Sequence, residues 1–171
     1  MKTIVVGSDA PSVRAGVLAV VAEPGTEVIE ASSGPEVMQS VGDNHPDLVV
    51  VDLQMGNMGG MAVCLELRLE ESYGALPHIP VLMLLDRRPD VFLARRSDAE
   101  GWLIKPLDPV RIRKAVRALL DGGTYHDESY QPLVLEVPVA LPSTGEATGS
   151  ADSGAIARGE PELTARSPSL S

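Results

Sequence analysis

Four apolar residues, Leu48-Val49-Val50-Val51, run without interruption into a carboxylate, Asp52. The run is too short for a helix. Its β-branched side chains are stiff at χ1 and suit a pleated surface, so it reads as a strand buried on both faces. Asp52 stands where that strand leaves the sheet. Gly56, Gly59 and Gly60 follow in a loop that tolerates unusual dihedrals. A carboxylate at the C-terminal end of a buried parallel strand lies where open α/β sheets bind ligands. Taken by itself, Asp52 would serve equally well as a cap for the next turn.

The neighbouring segments supply the context. Thr3 to Gly7 is a short apolar strand, and Pro11 opens a helix with Val13, Val17, Val20 and Val21 on one face. Thr26 to Ala31 is a second strand, followed by a short helix carrying Val37 and Val41. After the Asp52 strand, a helix from about Gly60 to Glu71 is expected to turn Met61, Cys64 and Leu65 toward the core. Glu66, Arg68 and Glu70 are expected outward. Ile79 to Leu85 is another continuous strand. Pro89 to about Asp98 reads as a poor helix with Val91 and Leu93 inward, and Trp102 to Ile104 as a brief strand ending in Lys105-Pro106. A last helix, Pro109 to Leu120, places Ile112, Ala115, Val116 and Leu119 on one side, and Gly122-Gly123 stops it.

Strict alternation of five strand–helix units specifies an α/β domain: a doubly wound (βα)5 parallel sheet with helices on both faces and right-handed crossovers. The expected strand order is flavodoxin-like, 2-1-3-4-5. That domain occupies residues 1–122. Residues 123–171 are rich in Pro, Gly and Ser, carry an acidic excess and read as a disordered tail. One apolar patch there, Pro132 to Pro142, reads either as a mobile segment or as an added strand docked on the domain or a partner, and its prolines argue against a central strand.

With 171 residues and a net charge of -10, the chain suits one domain plus an extension, and its acidity argues against non-specific nucleic-acid binding. The single cysteine, Cys64, cannot form an internal disulfide and reads as a core residue in a reducing, cytoplasmic compartment. The first apolar stretch meets Ser8 and Asp9 too soon for a signal peptide, and no run approaches a membrane span. His45, His78 and His126 fall in loops without ligand spacing and read as surface residues. Met55, Met58 and Met61 read as filling for the core or the loop.

Three polar groups leave three strand ends: Ser8-Asp9 after the first, Asp52 after the third, Lys105 after the fifth. In the expected order the first and third strands flank the switch point, so Asp9 and Asp52 face each other across it and Lys105 lies on the far side. Two carboxylates held together repel, and a hard divalent cation with oxygen ligands relieves that repulsion. Lysine adds a mobile point charge suited to a phosphoryl oxygen. The blander roles are a helix cap for Asp9, a solvated ammonium for Lys105 and edge packing for Trp102.

Four pieces of the chain, in register over residues 1 to about 121, resemble the CheY-like receiver domain of bacterial response regulators. They are Val5 to Pro11, Pro46 to Met55, Ile79 to Leu84 and Gly101 to Asp108. The resemblance implies a two-component signalling protein, not an enzyme, that accepts a phosphoryl group on Asp52 from a histidine kinase or a small phosphodonor. It implies Mg²⁺ held by Asp9, Asp52 and the backbone carbonyl of Gln54. Lys105 would pair with the phosphoryl group, through a bond to Pro106 that is typically cis. Trp102 stands at the aromatic switch position. Two departures are atypical. Ser8 replaces the first acid of the acidic pair, which should weaken Mg²⁺ binding without removing a direct ligand. Leu85 replaces the Thr or Ser whose hydroxyl bonds the phosphoryl oxygen, and leucine has no donor.

These departures leave two readings. One is a stand-alone, phosphorylatable receiver signalling through protein contacts. The other is a pseudo-receiver, a docking module outside phosphate control. A nucleotide- or flavin-binding enzyme is a poor third, because neither a G-x-x-x-x-G-K-[ST] loop nor a G-x-G-x-x-G turn is present. The stretch after Leu120 is too poor in periodic apolar residues for a DNA-binding domain. Arg87, Arg88, Arg95, Arg96, Arg111, Arg113, Lys114 and Arg117 cluster on the fourth and fifth units. The face of the fourth helix, fifth strand and fifth helix is the one receivers commonly use for partners. From Asp121 onward eight acids oppose two arginines, so the tail either competes electrostatically for that face or leaves the charges of both parts solvated.

Overall fold

The short β-branched runs and the amphipathic stretches between them become a doubly wound sheet in the computed structural model, which describes residues 1–129. The strands are β1 (Lys2–Gly7), β2 (Thr26–Ala31), β3 (Leu48–Asp52), β4 (Val81–Leu85), β5 (Gly101–Ile104) and β6 (Tyr125–His126). The helices are α1 (Pro11–Val21), α2 (Gly34–Asn44), α3 (Gly60–Ser72), α4 (Val91–Arg96) and α5 (Pro109–Leu120). Every pairing is parallel, and the sheet order is β2-β1-β3-β4-β5-β6. The expected 2-1-3-4-5 order is present, extended by a sixth strand.

Alternate residues of each central strand feed two separate cores. Val49, Val51, Val81, Met83 and Leu85 pack with Val37, Val63, Cys64 and Leu67 under α2, α3 and α4. Leu48, Val50, Leu82 and Leu84 pack with Val17, Ile112 and Leu119 under α1 and α5. Residues Leu48 to Val51 are all fully buried, each side chain contributing about 1.5–3 kcal/mol relative to exposure. That two-sided burial fixes where β3 ends, and so where Asp52 emerges.

Several local expectations are corrected. In α3 the core residues are Val63, Cys64 and Leu67, whereas Leu65 is exposed and Met61 only half-buried. Apolar side chains at positions 61, 63, 64, 65, 67 and 69 surround that helix, and its orientation is set by tertiary packing rather than by its own pattern. Arg68 is not simply outward. Its guanidinium bonds both carboxylate oxygens of Glu100 at 2.8 Å. The fourth helix is shorter than expected, a 3-10 turn at Arg88–Asp90 followed by six residues of α4 with Ala94 as the buried position. Val91 and Leu93 reach the core only partly.

The largest correction concerns residues 123–129. They do not leave the domain as a disordered tail. The chain turns at Gly122 (φ +79°) and Gly123 donates to the Ala118 carbonyl. It then runs along β5, with Tyr125 opposite Gly101 and His126 opposite Trp102. His126, expected on a surface loop, is therefore a strand residue. The remainder of the expected tail, including the Pro132–Pro142 patch, lies outside the described residues.

Candidate functional site

Asp52 ends β3 and is almost fully buried at 2% exposure. Its position depends on the loop beyond it. A side chain at Gly60 would place its Cβ 2.6 Å from the Asp52 carbonyl oxygen, so only glycine lets α3 start directly against the strand end. The backbone N–H of Gln54 donates to Asp52 Oδ1 at 3.3 Å.

Ser8 follows β1 and is fully buried. Its hydroxyl accepts from the Ala10 N–H at 3.2 Å and donates to Asp52 Oδ2 at 3.0 Å. Serine thus meets the Asp52 carboxylate as a hydrogen-bond donor, where an acid would repel it. Asp9 turns toward the loop after β3, where its Oδ2 accepts the Gly56 N–H at 3.1 Å. The Asp9 and Asp52 carboxylates are therefore bonded to the same loop, Asp9 at Gly56 and Asp52 at Gln54.

Lys105 follows β5, and its backbone N–H donates to the Leu85 carbonyl at 2.8 Å, which ties it to the end of β4. The Lys105-Pro106 bond is cis. From there Nζ reaches Asp52 Oδ1 at 2.9 Å and Oδ2 at 2.8 Å, and Asp86 Oδ1 at 3.1 Å. Partial burial would lower the pKa of this ammonium. The bonds from Asp52 and Asp86 outweigh burial and hold it above the ordinary lysine value. Lys105 is charged throughout the physiological range.

Asp86 is the member of this cluster that the sequence reading missed. It stands immediately after Leu85, half in solvent at 40% side-chain exposure. Its signal was present only as an acid directly following a strand end. Leu85 itself is fully buried in the core under α3 and α4 and brings no polar atom to the pocket. Trp102 is buried at 3% exposure, stacked on His126 with ring centroids 3.9 Å apart and planes 8° from parallel. Cys64 lies in the core, and burial pushes its thiol up to about 11, so it is inert near neutral pH.

Asp9 and Asp52, both bonded to the loop after β3, are the two carboxylates here that could hold a hard cation. Magnesium is ordinarily held by one or two carboxylates with water in its remaining positions. Among the described residues, no buried side-chain oxygen or nitrogen lacks a partner. An ion here would therefore share Asp52 oxygens already bonded by Lys105 and Ser8.

The basic cluster expected on the fourth and fifth units is partly engaged within the domain. Arg113 and Arg117 approach Glu23 at 3.7 and 3.8 Å. Arg111 pairs with Asp127, a residue of the acidic segment from Asp121 onward.

Comparison with known proteins bears on the family and the fold. The family model described as the response regulator receiver domain matches residues 4–117. The nitrate/nitrite response regulator protein NarL of Escherichia coli K12 is 31% identical over 134 residues, 77% of this chain and 61% of that protein. The alkaline phosphatase synthesis transcriptional regulatory protein PhoP of Bacillus subtilis is 32% identical over 98 residues, 56% of this chain and 39% of that protein. The chain thus spans less than two thirds of these curated relatives. The chemotaxis response regulator CheY4 of Vibrio cholerae superposes with a TM-score of 0.61 at 25% identity, covering 68% of this chain and 97% of that one.

Proposed function

This chain belongs to the response regulator receiver domain family, and from that premise we propose that it accepts a phosphoryl group on Asp52 and signals through protein contacts. The observation that carries the proposal is the Lys105 ammonium bonded to both oxygens of the buried Asp52 carboxylate. An Asp52 oxygen attacks phosphorus on a histidine kinase's phosphohistidine or on a small acyl phosphate. The new O–P bond forms as the donor's N–P or O–P bond breaks, and the bonding electron pair leaves with the donor.

Lys105 then moves from the carboxylate onto a phosphoryl oxygen, which stabilises the product as a charge-assisted pair. Ser8 keeps its hydroxyl on Asp52 and orients the attacking group. Asp9, Asp52 and the Gln54 carbonyl would hold Mg²⁺, which supplies charge neutralisation at the phosphoryl oxygens. With serine in place of an acid at position 8, the site is a weak one.

Family membership and the engaged lysine favour this reading over a docking module outside phosphate control. No helix among the described residues is long and apolar enough to cross a membrane. Family membership, with a histidine kinase or small phosphodonor as the source of the phosphoryl group, is what supports a cytoplasmic location. Its partners would be the phosphodonor and a protein target at the α4-β5-α5 face.

Incubation with acetyl phosphate and Mg²⁺, followed by intact-mass spectrometry, tests the proposal. The expected result is one added phosphoryl mass, mapped to Asp52 and lost in Asp52→Asn. Absence of the adduct with this donor and with phosphoramidate overturns it.

A further inference from the structure

The β5 edge is covered by the chain's own segment Tyr125–Ser129, and the contacts are specific. The Tyr125 N–H donates to the Glu100 carbonyl at 3.1 Å, and the Asp127 N–H to the Trp102 carbonyl at 3.2 Å. Asp127 is buried. Its Oδ2 accepts the Ile104 N–H at 3.0 Å and also takes the Arg111 guanidinium. Arg111 further bonds Ser129 Oγ at 2.9 Å and the Pro106 carbonyl at 2.7 Å. The His126 ring lies on Trp102, and the Arg95 guanidinium stands 5.4 Å from the same indole.

The cover is short. Only two residues pair formally with β5, and His126, Glu128 and Ser129 are exposed. Strands this brief are marginal by themselves. What lies beneath is demanding. Without the cover, β5 would present two carbonyls and the Ile104 N–H, beside a flat indole and the Arg111 cation. A cavity of about 240 Å³ opens alongside, lined by Arg88, Arg95, Trp102, Ile104 and His126 among others. An open strand edge recruits another strand, and pockets for alternate side chains select which one.

We propose that the β5 edge is a strand-docking surface. Tyr125–Ser129 occupies it in cis, and an extended acidic segment of a partner protein takes it over in trans. The cis occupant specifies that segment: it runs parallel to β5 and carries a planar side chain followed by a carboxylate. The planar group replaces His126 on Trp102, and the carboxylate replaces Asp127 between Arg111 and the Ile104 N–H. The inference goes beyond phosphoryl transfer and stands whether or not Asp52 accepts a phosphoryl group.

The test uses the full chain and a fluorescein-labelled peptide, Thr-Tyr-His-Asp-Glu-Ser, copied from residues 124–129. Fluorescence anisotropy compares the unmodified protein with the double variant His126→Ala, Asp127→Ala. The variant is expected to bind the peptide saturably and to reject a scrambled peptide and one with Asn for Asp. The unmodified protein is expected to bind about tenfold more weakly or worse, because a closed cover reduces the competent fraction. If the double variant does not fold, Asp127→Asn, which keeps the side-chain shape and removes the charge, carries the same comparison. Equal affinity for both proteins, equal binding of the scrambled peptide, or no binding by a folded variant overturns the proposal. So does a dimer in sedimentation velocity that the free peptide dissolves, because the occupant in trans would then be a second copy's own segment.

Discussion

The Asp86 carboxylate lies 3.1 Å from the Lys105 ammonium. It therefore competes for the cation that a phosphorylated Asp52 needs, and it adds a like charge beside the incoming phosphoryl group. Asp86→Asn is expected to raise the affinity for beryllofluoride, a phosphoryl mimic, in the presence of Mg²⁺. A partly exposed pair of this kind is worth up to about 1 kcal/mol, or about fivefold. Isothermal titration calorimetry measures it, and an unchanged affinity would show that Lys105 is not shared in solution.

Ser8 donates to Asp52 from a fully buried position. Ser8→Asp exchanges that bond for a like charge, and the metal-free protein should lose about 1–3 kcal/mol. Magnesium should then recover the loss, because a second carboxylate strengthens the site and ligand bound only to the folded state stabilises it. Thermal melts with and without Mg²⁺ are expected to show a larger metal-induced rise in Tm for the variant than for the unmodified protein. Chelation should reverse the rise in both.

Leu85 is a fully buried side chain in β4 with no hydroxyl to follow the phosphoryl group. Trp102 is held under His126, with the two rings stacked 3.9 Å apart. Beryllofluoride is therefore expected to leave the emission of Trp102, the one tryptophan in the sequence, nearly unchanged. Leu85→Thr should cost about 2–4 kcal/mol through lost apolar burial and a buried hydroxyl. It should also make Trp102 emission respond to the mimic. A response of equal size in the unmodified protein would mean that another route couples the pocket to β5.

The parts of this molecule legible in its sequence are those whose burial is decided within a few residues. Leu48 to Val51 admit one reading, and so Asp52, at their end, falls where it was expected. Lys105 is legible for the same reason, since Trp102 to Ile104 ends immediately before it. Leu65 was misplaced because apolar residues surround α3, and which of them face inward depends on β3 and β4, far away in sequence. β6 was missed because Tyr125-His126 carries neither the length nor the alternation of a strand. Its stability comes from Arg111, Trp102 and Ile104, partners that only the finished sheet brings within reach. Asp86 resembled the first residue of a loop, and nothing local signals that Lys105 will stand beside it.

Asp127 gives the β5 cover a dependence on pH. Burial alone would raise its carboxyl pKa, but the bonds from Ser129 and the Ile104 N–H, together with the Arg111 charge, hold it below the ordinary 3.8. Around it, Arg111 is the facing cation, while Asp108 lies close enough to act on Tyr125, whose own pKa burial and Asp127 raise. A carboxyl depressed on folding contributes stability that is present above its unfolded pKa and is lost as pH falls through the folded value. The cover is therefore closed at neutral pH with respect to Asp127 and is expected to loosen only under acid conditions, below about pH 4. Acrylamide quenching of Trp102, followed down in pH, should show indole exposure rising in that window while far-UV circular dichroism still reports a folded sheet. Asp127→Asn should abolish this acid step, because the amide has no proton to take up. It should also leave Trp102 more accessible at neutral pH, where the unmodified protein protects it. If the acid step persists unchanged in the variant, the cover is not held by the Asp127 charge.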